Sequence, residues 1–313
     1  MTEPSQNQTE HQSTPHAREV NKSRDLPNPK LRLHINDLRH PGTKAFLSLI
    51  PDLESVLESA LSAIIQNLYT VSSSPPTTKH PPLLPIFHPS IPSARSVTIL
   101  LRDIPGVAYT TGTELDDSHK EIHISLPYIH STSTRPGVTP APELCGVLTH
   151  ELVHCYQHTA PPRGQNGHDL RPPGGLIEGI ADFVRLKAGW APPHWKRPGS
   201  ARDRPGRWDQ GYQHTAYFLA WLEDVRVGVG AVGMVNDRLL RVGYCDRDDH
   251  DAGNGGGDEG RKKGFWEGLF GERVEVLWRE YGVYLDQLGG VIEEGDREGK
   301  MSTTWEEEIV NPE

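Results

Sequence analysis

The 313-residue chain is poor in cysteine, in long apolar runs and in surplus positive charge. Its three cysteines, Cys145, Cys155 and Cys245, are an odd number and too few for a disulfide scaffold. No apolar run reaches 18 residues, so no membrane-spanning helix is expected. Basic residues number 32 against 42 acidic ones. A nucleic-acid binder normally shows a basic footprint, so no nucleic-acid partner is expected either. The N-terminus lacks the apolar h-region of a secretory signal, and on that ground alone the expectation is an intracellular protein. Only 35% of residues are hydrophobic, while Gly and Pro contribute 31 and 27. That balance implies one good core with much loop and tail around it.

Residues 1–30 are polar and rich in Ser, Thr, Gln and Pro, and read as a disordered tail that cannot bury enough apolar area to offset ordering entropy. A domain is expected over 31–290, followed by a tail over 291–313. Asp52 caps a run with Leu53, Val56, Leu57, Leu61, Ile64, Ile65 and Leu68 at helical spacing. The prolines between Pro75 and Pro92 then forbid a helix or a central strand. Ser96–Leu101 and Val107–Thr111 read as strands, and Glu121–Leu126 alternates like a half-exposed one. These three predict a small, largely antiparallel sheet. Helical patterns follow over 143–158, 176–188, 209–225, 231–241 and 272–286. Strands first and helices after argue for an α+β fold. Residues 246–260, DRDDHDAGNGGGDEG, do not fit a calcium-loop pattern and read as a solvated acidic loop.

The chemically informative stretch is His150-Glu151-Leu152-Val153-His154, an H-E-x-x-H pattern inside a helix. One helical turn separates the two imidazoles, which project about 40° apart to one side. They flank an apolar stripe of Leu144, Val147, Leu148, Leu152 and Cys155 that would anchor the helix. Two imidazoles so placed can converge on Zn2+, and Glu151 beside them suits a general base. A catalytic zinc needs a third protein ligand and one open position. Glu178, 24 residues after His154, can return a carboxylate from an antiparallel helix, with Gly179 and Ala181 small enough for close approach. His158 is the alternative third ligand. Asp182, one turn beyond Glu178, suits an acceptor for a ligand imidazole N–H. For a donor to a developing oxyanion the candidates are Tyr212 and then His214, on a helix that Asp209 would cap. Trp190, Trp195, Tyr217, Phe218, Trp221, Trp278 and Tyr281 are spaced like helix-packing residues.

The strings PGGLIEGIADFVRLKAGWAPPHW and RWDQGYQHTAYFLAWLE, with VAYTTG, EIHIS and HELVHCYQH before them, resemble the plant basic secretory proteins and their bacterial and fungal relatives. These form a peptidase family of the zincin superfamily. The resemblance covers about residues 95–285. It implies a zincin-like, gluzincin-type metallopeptidase fold. It also implies zinc on His150, His154 and Glu178, catalysis by Glu151, and a peptide or protein substrate. Plant members are secreted and often basic, and this chain departs from both features, so secretion rests on the resemblance alone. Two other readings stay open: a non-catalytic zinc-containing binding or defence-type protein, and a zinc hydrolase of non-peptide substrates.

Overall fold

A computed structural model describes residues 27–70, 89–161, 170–245 and 263–289. The tail before residue 27, the proline-rich 71–88, the acidic 246–260 stretch and the tail from 291 lie outside the described residues.

The chain begins with strand β1 (Lys30–Ile35), then helices α1 (Pro41–Leu49) and α2 (Leu53–Ile64), the latter running into a π-helical turn over Ile65–Tyr69. The Asp52 cap is present, its Oδ1 accepting from the Ser55 N–H at 3.0 Å. Strands β2 (Ser96–Arg102), β3 (Ala108–Gly112) and β4 (His119–Ser125) follow, then α3 (Leu126–Thr134), α4 (Pro140–Tyr156) and α5 (Gly174–Lys187). The last stretch holds α6 (Tyr212–Trp221) with a π-helical turn after it, α7 (Ala231–Arg241), α8 (Phe265–Phe270) and α9 (Val274–Gly289). No helix among the described residues is long and apolar enough to cross a membrane.

The fold is α+β, but the sheet is mixed rather than largely antiparallel. Its order is β1-β2-β4-β3, with β1/β2 and β2/β4 parallel and only β3/β4 antiparallel. The reason lies in the turn between β2 and β3. Instead of closing a hairpin, it leaves a gap that β4 fills, with the Ser125 N–H donating to Val107 O at 2.9 Å and its Oγ to Ile104 O at 2.7 Å. β4 is therefore central and buried on both faces. Ile122 and Ile124 enter the core, and His123, expected near solvent, lies under the Tyr109 ring at 4.4 Å with Arg102 Nη1 3.1 Å from its Nδ1.

The apolar face of the sheet, carrying Val97, Ile99, Leu101, Ile122 and Ile124, packs with α2 and α4 into one core. Helix α4 is buried almost all round. Leu144, Val147, Leu148, Leu152 and Cys155 are covered as the stripe predicts, and so are Gly146, Thr149 and Val153. Helices α5 and α6 meet more closely than ordinary side chains allow. A Cβ on Gly179 would lie 2.3 Å from Thr215 Cγ2, and one on Gly175 would lie 1.9 Å from the Asp209 carbonyl oxygen. The small residue Gly179 thus serves the approach of α5 to α6, not to the histidine helix. Toward α4 the small residue is Gly146, which the Arg185 guanidinium of α5 covers.

Candidate metal centre

Helix α4 carries His150, Glu151 and His154, and α5 brings Glu178 and Asp182 against them. His150 Nε2 lies 3.1 Å from His154 Nε2 and 3.1 Å from Glu178 Oε2, and the third edge, His154 Nε2 to Glu178 Oε2, is 3.7 Å. Tetrahedral ligands bonded at about 2.0–2.1 Å sit about 3.3 Å apart, so this triangle has the size a zinc ion needs. These three are the one group of metal-ligating side chains so clustered among the described residues.

Asp182 occupies the other end of the His150 ring, its Oδ1 2.7 Å from Nδ1. A neutral His150 therefore donates Nδ1–H to Asp182 and turns the Nε2 lone pair toward the other two ligand atoms. Lone pairs of two imidazoles and a carboxylate then converge in a buried place, which is unfavourable without a cation between them. Without an ion, the same carboxylates draw a proton to His150 instead. Burial opposes charging His150, yet the carboxylates of Asp182 and Glu178 outweigh it and push its pKa up to about 10. Burial likewise opposes ionising Glu178, but hydrogen bonds from His150 and His154 hold its carboxyl well below the usual range. A site that draws in a positive charge so strongly fits a divalent ion held by these residues.

The three side chains line a cavity of about 440 Å³ together with Glu151, Tyr212, Val107 and the β3 residues 108–111. Glu151 is 6% exposed, and its Oε2 lies 2.7 Å from Thr110 Oγ1. Tyr212 stands beside His150, the rings nearly parallel at 16° and 6.3 Å apart. It opens α6 rather than lying inside it: Gly211 precedes the helix at φ 92°, and Tyr212 itself has φ 45°. A tyrosine in that left-handed region is strained, and strained residues cluster at ligand sites. The contact of Gly175 with the Asp209 carbonyl fixes this turn. Asp209 is not the cap, and its carboxylate instead receives Arg207 at 2.7 Å.

The remaining expectations come out differently. Helix α4 stops at Tyr156, Gln157 turns to extended backbone, and His158 points away to the Ser90 carbonyl at 2.8 Å. It is not in the cluster. His214 does not line the cavity, whereas Trp195, expected to be plain packing, does. Cys155 is buried and burial pushes its thiol pKa up, as suits a small hydrophobe. Thr110 and Arg185 also line the cavity, and neither was assigned a role from the sequence. Thr110 was visible only as part of the VAYTTG string, with no role attached. Arg185, fixed by Glu143 at 3.0 Å and the Trp190 carbonyl at 3.1 Å, sits one turn past Asp182 and was legible only as a helix charge.

The family model for BSP, described as peptidase of plants and bacteria, matches residues 28–281. The chain belongs to this family. The match runs from just before β1 into α9 and contains all five carboxylate and imidazole residues of the centre, in agreement with the resemblance noted in the sequence. No curated protein and no solved structure gives a match.

Proposed function

We propose that this member of the peptidase family is a zincin-like, zinc-dependent metallopeptidase of the gluzincin type, acting on peptide or protein substrates. The observation that carries the reading is the 3.1, 3.1 and 3.7 Å triangle of His150, His154 and Glu178 with Glu151 beside it in one cavity. These three residues would hold the ion, and Asp182 fixes the His150 tautomer that leaves Nε2 free to bind it. A divalent ion held there would supply Lewis-acid chemistry, polarising a carbonyl and making water more acidic. Glu151 takes the proton from the attacking water and returns it to the leaving amine. Tyr212 donates to the oxyanion that develops on the carbonyl. Strand β3 is an edge of the sheet and borders the cavity, so an extended peptide can lie along it by main-chain pairing.

An intact general base favours catalysis over a closed structural site, which needs none. The test is metal analysis of the purified protein beside His150→Ala, together with Glu151→Gln assayed on an unfolded protein and on ester substrates in parallel. The alanine variant is expected to lose the zinc. The glutamine variant is expected to keep it while peptide hydrolysis falls by about 10³-fold or more. Undiminished hydrolysis by the glutamine variant would remove the mechanism. Ester cleavage without peptide cleavage would replace the substrate class.

A further inference from the structure

We infer that Thr110 is a positioning residue for the general base, and that its hydroxyl decides which oxygen of Glu151 handles the proton. This rests on the peptidase reading above. Thr110 Oγ1 lies 2.7 Å from Glu151 Oε2 and 2.9 Å from the Glu151 carbonyl oxygen. Thr110 is the one side chain that hydrogen-bonds this carboxylate among the described residues.

A hydroxyl carries a single proton, so it donates to one of these two oxygens at a time. An ionised carboxylate is the stronger acceptor, and the proton goes to Oε2 while Glu151 is charged. Two things follow. The terminal torsion of a glutamate is broad and nearly two-fold when nothing holds it. The bond from Thr110 removes that freedom. It also takes up one lone pair of Oε2, which makes Oε1 the more basic oxygen toward a proton from water.

The anchor has little play of its own. Thr110 is β-branched, which limits its χ1 rotamers, and it belongs to β3, paired along its length with central β4. Its backbone position is therefore set by the sheet, while Glu151 is set by the core helix α4. The hydroxyl joins the two elements across the floor of the cavity.

Thr110→Val keeps the shape and deletes the hydroxyl, and Thr110→Ser keeps the hydroxyl and deletes the methyl. Metal-loaded enzyme is assayed on a fluorogenic peptide, with bound zinc measured in each sample. Thr110→Val is expected to lower kcat by about 10- to 100-fold with KM and zinc content unchanged, the size of one charge-assisted hydrogen bond to the reacting group. Thr110→Ser is expected to stay within about 3-fold of wild type. Thr110→Ala, which is smaller than valine and cannot crowd the strand, is expected to lose as much kcat as the valine. In a Glu151→Gln background Thr110→Val is expected to change the residual rate little. A valine variant with wild-type kcat overturns the assignment, as does a serine variant no better than valine. An equal loss in the glutamine background overturns it too. Failure of the metal-loaded wild type to cleave any peptide overturns the peptidase reading itself, and this assignment with it.

Discussion

Replacing Asp182 with alanine deletes the acceptor for the 2.7 Å bond from His150 Nδ1. Asp182 is 2% exposed and His150 8%, so water cannot easily take the vacant place. The buried Nδ1–H is then left without a partner, at a cost of about 1–3 kcal/mol. The imidazole is also free to turn and to place its proton on Nε2, which removes the lone pair facing His154 and Glu178. At about 1.4 kcal/mol per factor of ten, the zinc dissociation constant is expected to rise about 10- to 100-fold. Asp182→Asn keeps a neutral acceptor and is expected to lose roughly ten-fold, the lower end of that range. Competition titration against a chromophoric zinc chelator measures both, with circular dichroism confirming the fold and His150→Ala marking full loss of a ligand. If Asp182→Ala binds zinc within a factor of two of wild type, while His150→Ala does not, the orientation role given to Asp182 is wrong.

Tyr212→Phe removes the hydroxyl and keeps the ring beside His150, so kcat is expected to fall about 10²-fold at constant zinc content; an unchanged kcat reduces Tyr212 to packing. Gly179→Ala gains about 1 kcal/mol of helix propensity but drives its Cβ to 2.3 Å from Thr215 Cγ2. The clash prevails, and thermal unfolding is expected to show a net loss of about 1–3 kcal/mol, or roughly 3–10 °C in Tm. Burial lowers the pKa of His158 below its unfolded value of 6.5, even though the Ser90 carbonyl opposes the shift. Its contribution is therefore complete above pH 6.5 and is lost as pH falls through the lower folded value. His158→Gln, which retains a donor without titrating, is expected to flatten the fall of Tm between pH 7 and pH 5. A slope equal to wild type's rejects that contribution.

The candidate metal centre was largely legible in the sequence because its parts lie on two helices whose period is fixed. One turn separates His150 from His154 and Glu178 from Asp182, and a helix then dictates which side chains share a face. The sheet was far less legible. β1, KLRLHI, alternates charge and leucine on an exposed edge with little β-branched content to mark it as a strand, and nothing local tells β4 to enter between β2 and β3. α1 begins at a proline after a histidine cap, and α3, LPYIHSTST, is rich in residues that disfavour helix interiors. Both are held by packing and capping: Ser125 Oγ accepts from the Tyr128 N–H at 3.2 Å, and Gly42 lets α1 lie against the Leu126 carbonyl. The Thr110–Glu151 bond joins two elements 41 residues apart. No periodicity within either element announces a contact of that range.

The parallel pairing of β1 with β2, Lys30 opposite Ser96, also orders events as the chain leaves the ribosome. The first strand waits unpaired while α1, α2 and the proline-rich stretch are synthesised, and such distant pairings form slowly. Glu178 and the Tyr212 turn emerge later still. A nascent chain holding only the first half thus exposes its two histidines and Glu151 without the third carboxylate. The candidate centre of such a chain stays incomplete until α5 and α6 have closed on each other.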